Sequence, residues 1–288
     1  MIGEYMYRIK RRKSNLKRAA QYLALLPFLV FAFFPFYWMV ITSLKYNQEL
    51  YNLASNPFTI TTGITFEHYI YLFKKTEFLV WFKNTFIVAL VPTFIALVFS
   101  IPAGYALARL KFRWSALIST GIFTLYLMPP TLLFLPLSKF VNNLGLTNHL
   151  GSLIITFPTF MIPYCILMLS SYFRTIPAEI EDMALIDGCT HVQMLYKIVL
   201  PISKPGVITS SFFSFILAWD NLIYPVTFIS NSSRKTISSG VLTELIRGDV
   251  YFWGSLMAGA VVSSIPIIVA FVFLMDNYVK GLTAGSIK

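Results

Sequence analysis

The chain is poor in charge, in acid above all, and in the residues from which catalytic and metal centres are built. Only 12% of its 288 residues are charged, with 12 Asp or Glu against 23 Lys or Arg. With 57% hydrophobic residues there is too little polar material to coat one soluble core, which makes this a membrane protein. None of its 14 glycines is followed by Lys, so no G-x-x-x-x-G-K-[ST] phosphate loop exists and ATP is not hydrolysed by that route. The three histidines, His68, His149 and His191, lie far apart, and none has a second His or Cys at ligand spacing. No Gly-x-Ser-x-Gly or Cys/His arrangement offers a nucleophile. Cys165 falls in a predicted span and Cys189 in a polar loop, which argues against a structural disulfide. A membrane enzyme therefore has no candidate residues, and the expectation is no catalytic site, no metal and no cofactor in this chain.

What the chain has in quantity is apolar length. Six stretches approach twenty residues: Ala19 to Thr42, Asn84 to Ala108, Ser115 to Leu137, Gly151 to Tyr172, Val207 to Ile229 and Gly254 to Met275. The first is too long, and lacks the small-residue cleavage site, for a removable signal peptide. With the N-terminus in the cytoplasm, fifteen of the 23 basic residues fall inside and eight outside, which supports both termini inside and an even number of spans. The net charge of +11 hugs the span ends instead of forming one face with interleaved aromatics. Anionic lipid headgroups, not nucleic acid, are its counter-charge.

The expected class is all-α, an integral membrane protein of six transmembrane helices. Its segments would be a basic cytoplasmic arm at 1–18, the first span and external loop at 19–83, a core at 84–276 with a cytoplasmic loop at 174–204, and a cytoplasmic tail at 277–288. Ser100, Gly104 and Ala108 form a small-residue stripe for close helix approach, within this chain or against a sister subunit. Pro129, Pro130, Pro136, Pro158 and Pro163 predict broken or kinked third and fourth spans of the sort that line a translocation path.

The polar stretch from Pro177 to Pro201 reads as two short helices. Pro177 opens the first, Glu179, Glu181 and Asp182 place negative charge near its positive end, and Gly188 stops it. Thr190 with Gln193 is a capping-box pattern, Val192, Leu195, Ile198 and Val199 fall on one face, and Pro201 ends the run. Neither helix is stable alone, so each needs a surface to lie against.

This stretch resembles the cytoplasmic EAA loop of the membrane subunits of bacterial binding-protein-dependent ABC importers, E-A-A-x-x-x-G, nine residues, then I-x-L-P. Ala184, Gly188, Ile198, Leu200 and Pro201 match, with Asp182 for the Glu and Met183 for the first Ala. Gly281-Leu-Thr-Ala-Gly285-Ser-Ile-Lys288 resembles the tail of the MalG-like sugar permeases. Tyr105 to Leu110, Gly145-Leu146-Thr147-Asn148 and Ala218-Trp219-Asp220-Asn221-Leu222 resemble further elements of that family, the last with amide and acid exchanged. The resemblance implies a coupling-helix pair between spans 4 and 5, in which Glu181 and Asp182 make polar contacts with an ATPase, Ala184 permits its close approach and Gly188 sets the helix angle. It implies Trp219, Asp220 and Asn221 at a pathway or subunit interface, where an ionisable group at a span is a functional hypothesis by default. Its implied partners are a second, MalF-like permease subunit, two ATPase subunits that bind ATP and Mg, an extracytoplasmic solute-binding protein seated in part on residues 45–83, and a sugar or oligosaccharide. A non-sugar solute would keep the loop but not the tail. A secondary transporter would show internal symmetry and embedded ion ligands, and neither is evident.

Overall fold

The computed structural model describes residues 2–110, 112–248 and 250–283. Met1, Lys111, Asp249 and the Ala284 to Lys288 end of the tail lie outside the described residues, as do the side chains of the basic arm, of Arg247 and of Asp276 to Thr283. In chain order the helices are α1 (Ile2–Ser43), α2 (Asn47–Leu50), α3 (Glu67–Lys75), α4 (Phe78–Arg109), α5 (Ser115–Leu127), α6 (Pro130–Asn143), α7 (Leu150–Thr156) and α8 (Pro158–Phe173). Then follow α9 (Ala178–Ile186), α10 (His191–Met194), a π-helical turn (Leu195–Val199), α11 (Leu200–Ile202), α12 (Lys204–Trp219), α13 (Ile223–Phe228), α14 (Ile237–Leu245) and α15 (Trp253–Thr283). Among the described residues the only strands are the antiparallel pair β1 (Ile246–Arg247) and β2 (Val250–Tyr251). The fold is all-α with one small hairpin.

Four segments are long and apolar enough to cross a membrane: Gln21–Ser43, Phe78–Arg109, Leu150–Phe173 and Trp253–Met275. Two bent pairs raise that to as many as six, α5 with α6 at 94° and the α10 to α11 run with α12 at 81°. The third expected span is thus two helices. Met128 and Pro129 each precede a proline and hold ψ of 125° and 127°, because a following ring excludes the helical region. Tyr224 Oη donates to the Pro130 carbonyl at 2.9 Å, so α13 of the same chain is fastened to the start of α6 beside the break. The fifth expected span is also interrupted, since α12 stops at Trp219 and α13 resumes at Ile223. The first helix differs from expectation at the other end, because α1 continues N-terminally to Ile2.

One compact unit runs to Leu72 and takes in Phe252–Val262; the second holds Phe73–Tyr251 and the remainder of α15. In the first unit the chain after α1 closes on a buried ion pair, Lys45 Nζ to Glu49 Oε1 at 3.3 Å. Lys45 also donates to the Asn56 and Pro57 carbonyls. Glu49 accepts from the Thr61 and Thr62 amides and from Thr62 Oγ1. Burial alone would raise this carboxyl, but the hydrogen bonds from Thr62, Thr61 and Lys45 prevail and hold it down at about 2.

In the second unit α8 lies along α4, and α12 packs on both. The small-residue stripe makes the first contact, so its partner is within the chain. A Cβ on Gly104 would stand 3.2 Å from Leu169 Cβ and 3.3 Å from the Ser170 amide nitrogen, and Ser100 Oγ donates to the Ile162 carbonyl at 3.3 Å. At the other end of α4, Asn84 Nδ2 donates to the Ser233 and Lys235 carbonyls, and Thr85 Oγ1 accepts from the Ile237 amide. Those bonds strap the 231–245 segment onto this helix.

Candidate functional site

The 174–204 loop is built on two caps. Ala178–Ile186 forms α9 behind Pro177, whose ψ of 134° keeps it outside the helix, with Glu179 and Glu181 in the first turn. Its other end is a Schellman closure: the Cys189 amide donates to the Ala184 carbonyl and the Gly188 amide to the Leu185 carbonyl, each at 3.0 Å. That closure requires Gly188 at φ +82°, where a Cβ is strained. The chain restarts on the expected capping box, with the Thr190 amide donating to Gln193 Oε1 at 3.0 Å and the Gln193 amide to Thr190 Oγ1 at 3.3 Å. Pro201 does not end the run, since it sits near the start of α11, where its missing N–H is tolerated, and the helix stops at Ser203.

One face of α9 is turned into the protein. Ala184 is 4% exposed and joins a buried cluster with Tyr105, Leu169, Phe173, Met194, Leu195 and Val199. Glu181, one turn earlier on the same face, is 7% exposed. Arg109 Nε donates to Glu181 Oε1 at 2.6 Å, and Tyr105 Oη donates to Oε2 at 3.1 Å. Arg109 Nη2 also reaches the Ile176 carbonyl, and Arg174 Nη2 donates to the Leu107 carbonyl at 3.2 Å. Burying a carboxylate is costly unless it is paired, and this one is fully engaged.

Within this chain both Glu181 oxygens are taken by α4, one by Arg109 and one by Tyr105. The close approach at Ala184 is likewise to this chain's own helices. The outward face is carried by Asp182, Met183, Leu185 and Ile186, the last 86% exposed. On the second helix Val192, 65% exposed, and Tyr196, 54% exposed, also reach the surface. Val192 is left exposed while Leu195 and Val199, three and seven residues on, are buried. Ile198 and Leu200 are half-buried, Ile198 against that cluster, and Pro201 is exposed.

The three residues expected at a path or interface separate. Trp219 is core, its ring stacked on Phe215 at 5.3 Å and edge-on to Phe82 and Phe86. Asn221 builds the break after α12: its Oδ1 accepts from the Tyr224 amide and its carbonyl from Ser238 Oγ at 2.7 Å. Asp220, the C-cap of α12, is the exposed member. Among the described residues no three His, Cys, Asp or Glu side chains converge as metal ligands would.

Sequence reasoning met Arg109, Tyr105 and Asn148 only within family-like elements and gave their side chains no role. The first two are four apart at a span end, hence on one helical face, and that spacing was the available signal. Asn148, at φ +61°, accepts from the Ser230 and Asn231 amides through Oδ1, and its carbonyl accepts from Arg234.

Comparison with known proteins bears on what this arrangement serves. The family described as "Binding-protein-dependent transport system inner membrane component" matches residues 100–284. The inner membrane ABC transporter permease protein YcjP of Escherichia coli (strain K12) is 34% identical, over 96% of this chain and 98% of that protein. The sulfoquinovosyl glycerol transport system permease protein SmoH of Agrobacterium fabrum (strain C58) is 35% identical, over 90% of each. A chain of a bacterial ABC transporter that imports the acidic polysaccharide alginate superposes with a TM-score of 0.76 at 19% identity, over 92% of this chain and 97% of that one.

Proposed function

Because this chain belongs to the family of inner-membrane components of binding-protein-dependent transport systems, we propose that its 174–204 loop receives motion from a separate ATPase and that its spans pass a sugar or oligosaccharide inward. It is a multi-pass transport subunit, not an enzyme. The carbohydrate class is supported by the name of the Agrobacterium relative and by the tail resemblance. The remaining partners of this reading are a MalF-like second permease, two ATPase subunits holding ATP and Mg, an external solute-binding protein and anionic lipid. Both termini lie in the cytoplasm, with residues 84–276 as the translocation core between the first-span segment (19–83) and the cytoplasmic tail (277–288).

The observation that carries the reading is the apolar outward face of the loop. Met183, Ile186, Val192 and Tyr196 stand exposed on a stretch of chain whose two caps and buried underside are already complete. Large apolar side chains gathered in the open on one short loop favour a protein interface there. Met183, at 59% exposure, is on this surface, so its departure from the family's Ala is felt by the partner and not by the fold. ATP-driven closure of the motor then shifts the docked loop, and the spans follow between inward-open and outward-open states.

The test is an Ile186→Glu, Val192→Glu double variant in cells producing the whole importer. The chain should insert at the normal level while the ATPase subunits no longer copurify. Undiminished copurification would remove the docking role from this face, and labelling of Cys189 from outside the cell would invert the topology.

A further inference from the structure

Beneath the outward face lies a charged junction that docking does not use. We propose that the Arg109–Glu181 pair is the yoke through which displacement of α9 is handed to span α4, which makes both positioning residues for transport. This rests on the reading of the loop as the receiver of the motor's motion.

The geometry has four parts. Both Glu181 oxygens are held, and both donors come from α4, Arg109 on Oε1 and Tyr105 on Oε2. The two donors are one turn apart, so α9 is pinned at two points along one face of α4. Arg109 also grips the Ile176 carbonyl, just before Pro177, where α9 begins. Arg174, at the end of α8, returns a hydrogen bond to Leu107 in the last turn of α4. The segment between α8 and α9 is therefore fastened to α4 on both sides.

Apolar packing around Ala184 is non-directional and lets a helix slide or rotate at small cost. A buried carboxylate is different. It cannot leave its guanidinium without becoming an unpaired charge away from water, so α9 and the end of α4 move as one body or the pair breaks. The side chains of the pair are 17% and 9% exposed, so bulk water does little to relieve a separation.

The experiment is performed on the whole importer in lipid. Spin labels are placed on α9 and α4 by Glu179→Cys and Val98→Cys, both exposed positions, with Cys189→Ser; Cys165 is buried. In the parent protein the label distance should be single and identical in the nucleotide-free and ATP–vanadate-trapped states. With Glu181→Gln it should broaden and differ between states, and stimulation of ATPase by the binding protein should fall about tenfold, while insertion and copurification persist. The exchange Arg109→Glu with Glu181→Arg should recover most of that stimulation. A parent distance that already changes between states, or a Glu181→Gln importer that behaves as the parent, overturns the yoke. So does failure of both Glu181→Gln and the exchange to accumulate, which makes the pair a folding element only. Absence of any ATPase from the purified parent complex would instead strike at the docking reading beneath it.

Discussion

Replacing Gly188 separates the backbone demand of the loop from the space above it. Alanine there places a Cβ at φ +82°, which costs an ordinary L-residue about 1–2 kcal/mol. Among the described residues, its chain neighbours aside, nothing lies within 4 Å of that Cβ, so the conformational penalty dominates the cost in the isolated subunit. A penalty of that size shifts a two-state equilibrium by roughly 5- to 30-fold. Asparagine accepts the left-handed region more readily and should recover most of the loss. Leucine carries the same backbone penalty as alanine, and its extra atoms project into open space unless another protein is docked. Heat stability of the purified chain in detergent should rank Gly and Asn above Ala and Leu, with the last two alike. Binding-protein-stimulated ATPase of the assembled importer should fall further with Leu than with Ala. Equality of Leu and Ala in the importer would show that nothing approaches this turn, and an Asn variant as poor as Ala would show that positive φ is not what the position requires.

Three further outcomes follow from the fold. Gly104→Leu should lower the thermal stability of the chain, since even the first added atom meets Leu169 and backbone at an overpacking cost of about 1–3 kcal/mol; Gly121→Ala, with no neighbour within 4 Å among the described residues beyond its own helix, is the control. Glu49 is held at about 2, below its ordinary 4.5, so its stabilisation is complete above that ordinary value and is lost as pH falls toward 2. Protease sensitivity of residues 45–62 should rise over that acid range, and Glu49→Gln should flatten the dependence. At Asn148, Asp keeps the side-chain oxygen that serves the Ser230 and Asn231 amides, Gly keeps only the positive φ and Ala keeps neither. Hydrogen exchange at those two amides should therefore quicken in the order Asp, Gly, Ala, and faster exchange with Gly than with Ala would refute the assignment.

What was legible in the sequence was local. The Thr190 box, the Gly188 stop and the apolar spans each depend on residues a few positions apart, and each is present. The break at Met128 was foreshadowed by consecutive prolines. The π-helical turn at Leu195–Val199 and the reach of α1 to Ile2 had no local signature. Least legible was direction: Glu181 and Asp182 are adjacent acids of similar chemistry, and which one turns inward is settled by Arg109, 72 positions away. The contacts of Trp219 and Asn221 were illegible for the same reason, because they are made with Phe215 and Phe82 in one case and with Ser238 in the other.

The Schellman closure alters what the family's signature spacing means. Ala184 supplies the carbonyl that the Cys189 amide closes on, and Gly188 is the left-handed residue that allows it. Their interval of four is thus demanded by the hinge itself. On the docking proposed above, choice of motor is free to drift at Met183, Ile186 and Val192 while the hinge stays intact, so a permease of this build could be retuned to a different ATPase by repainting three side chains without rebuilding the joint.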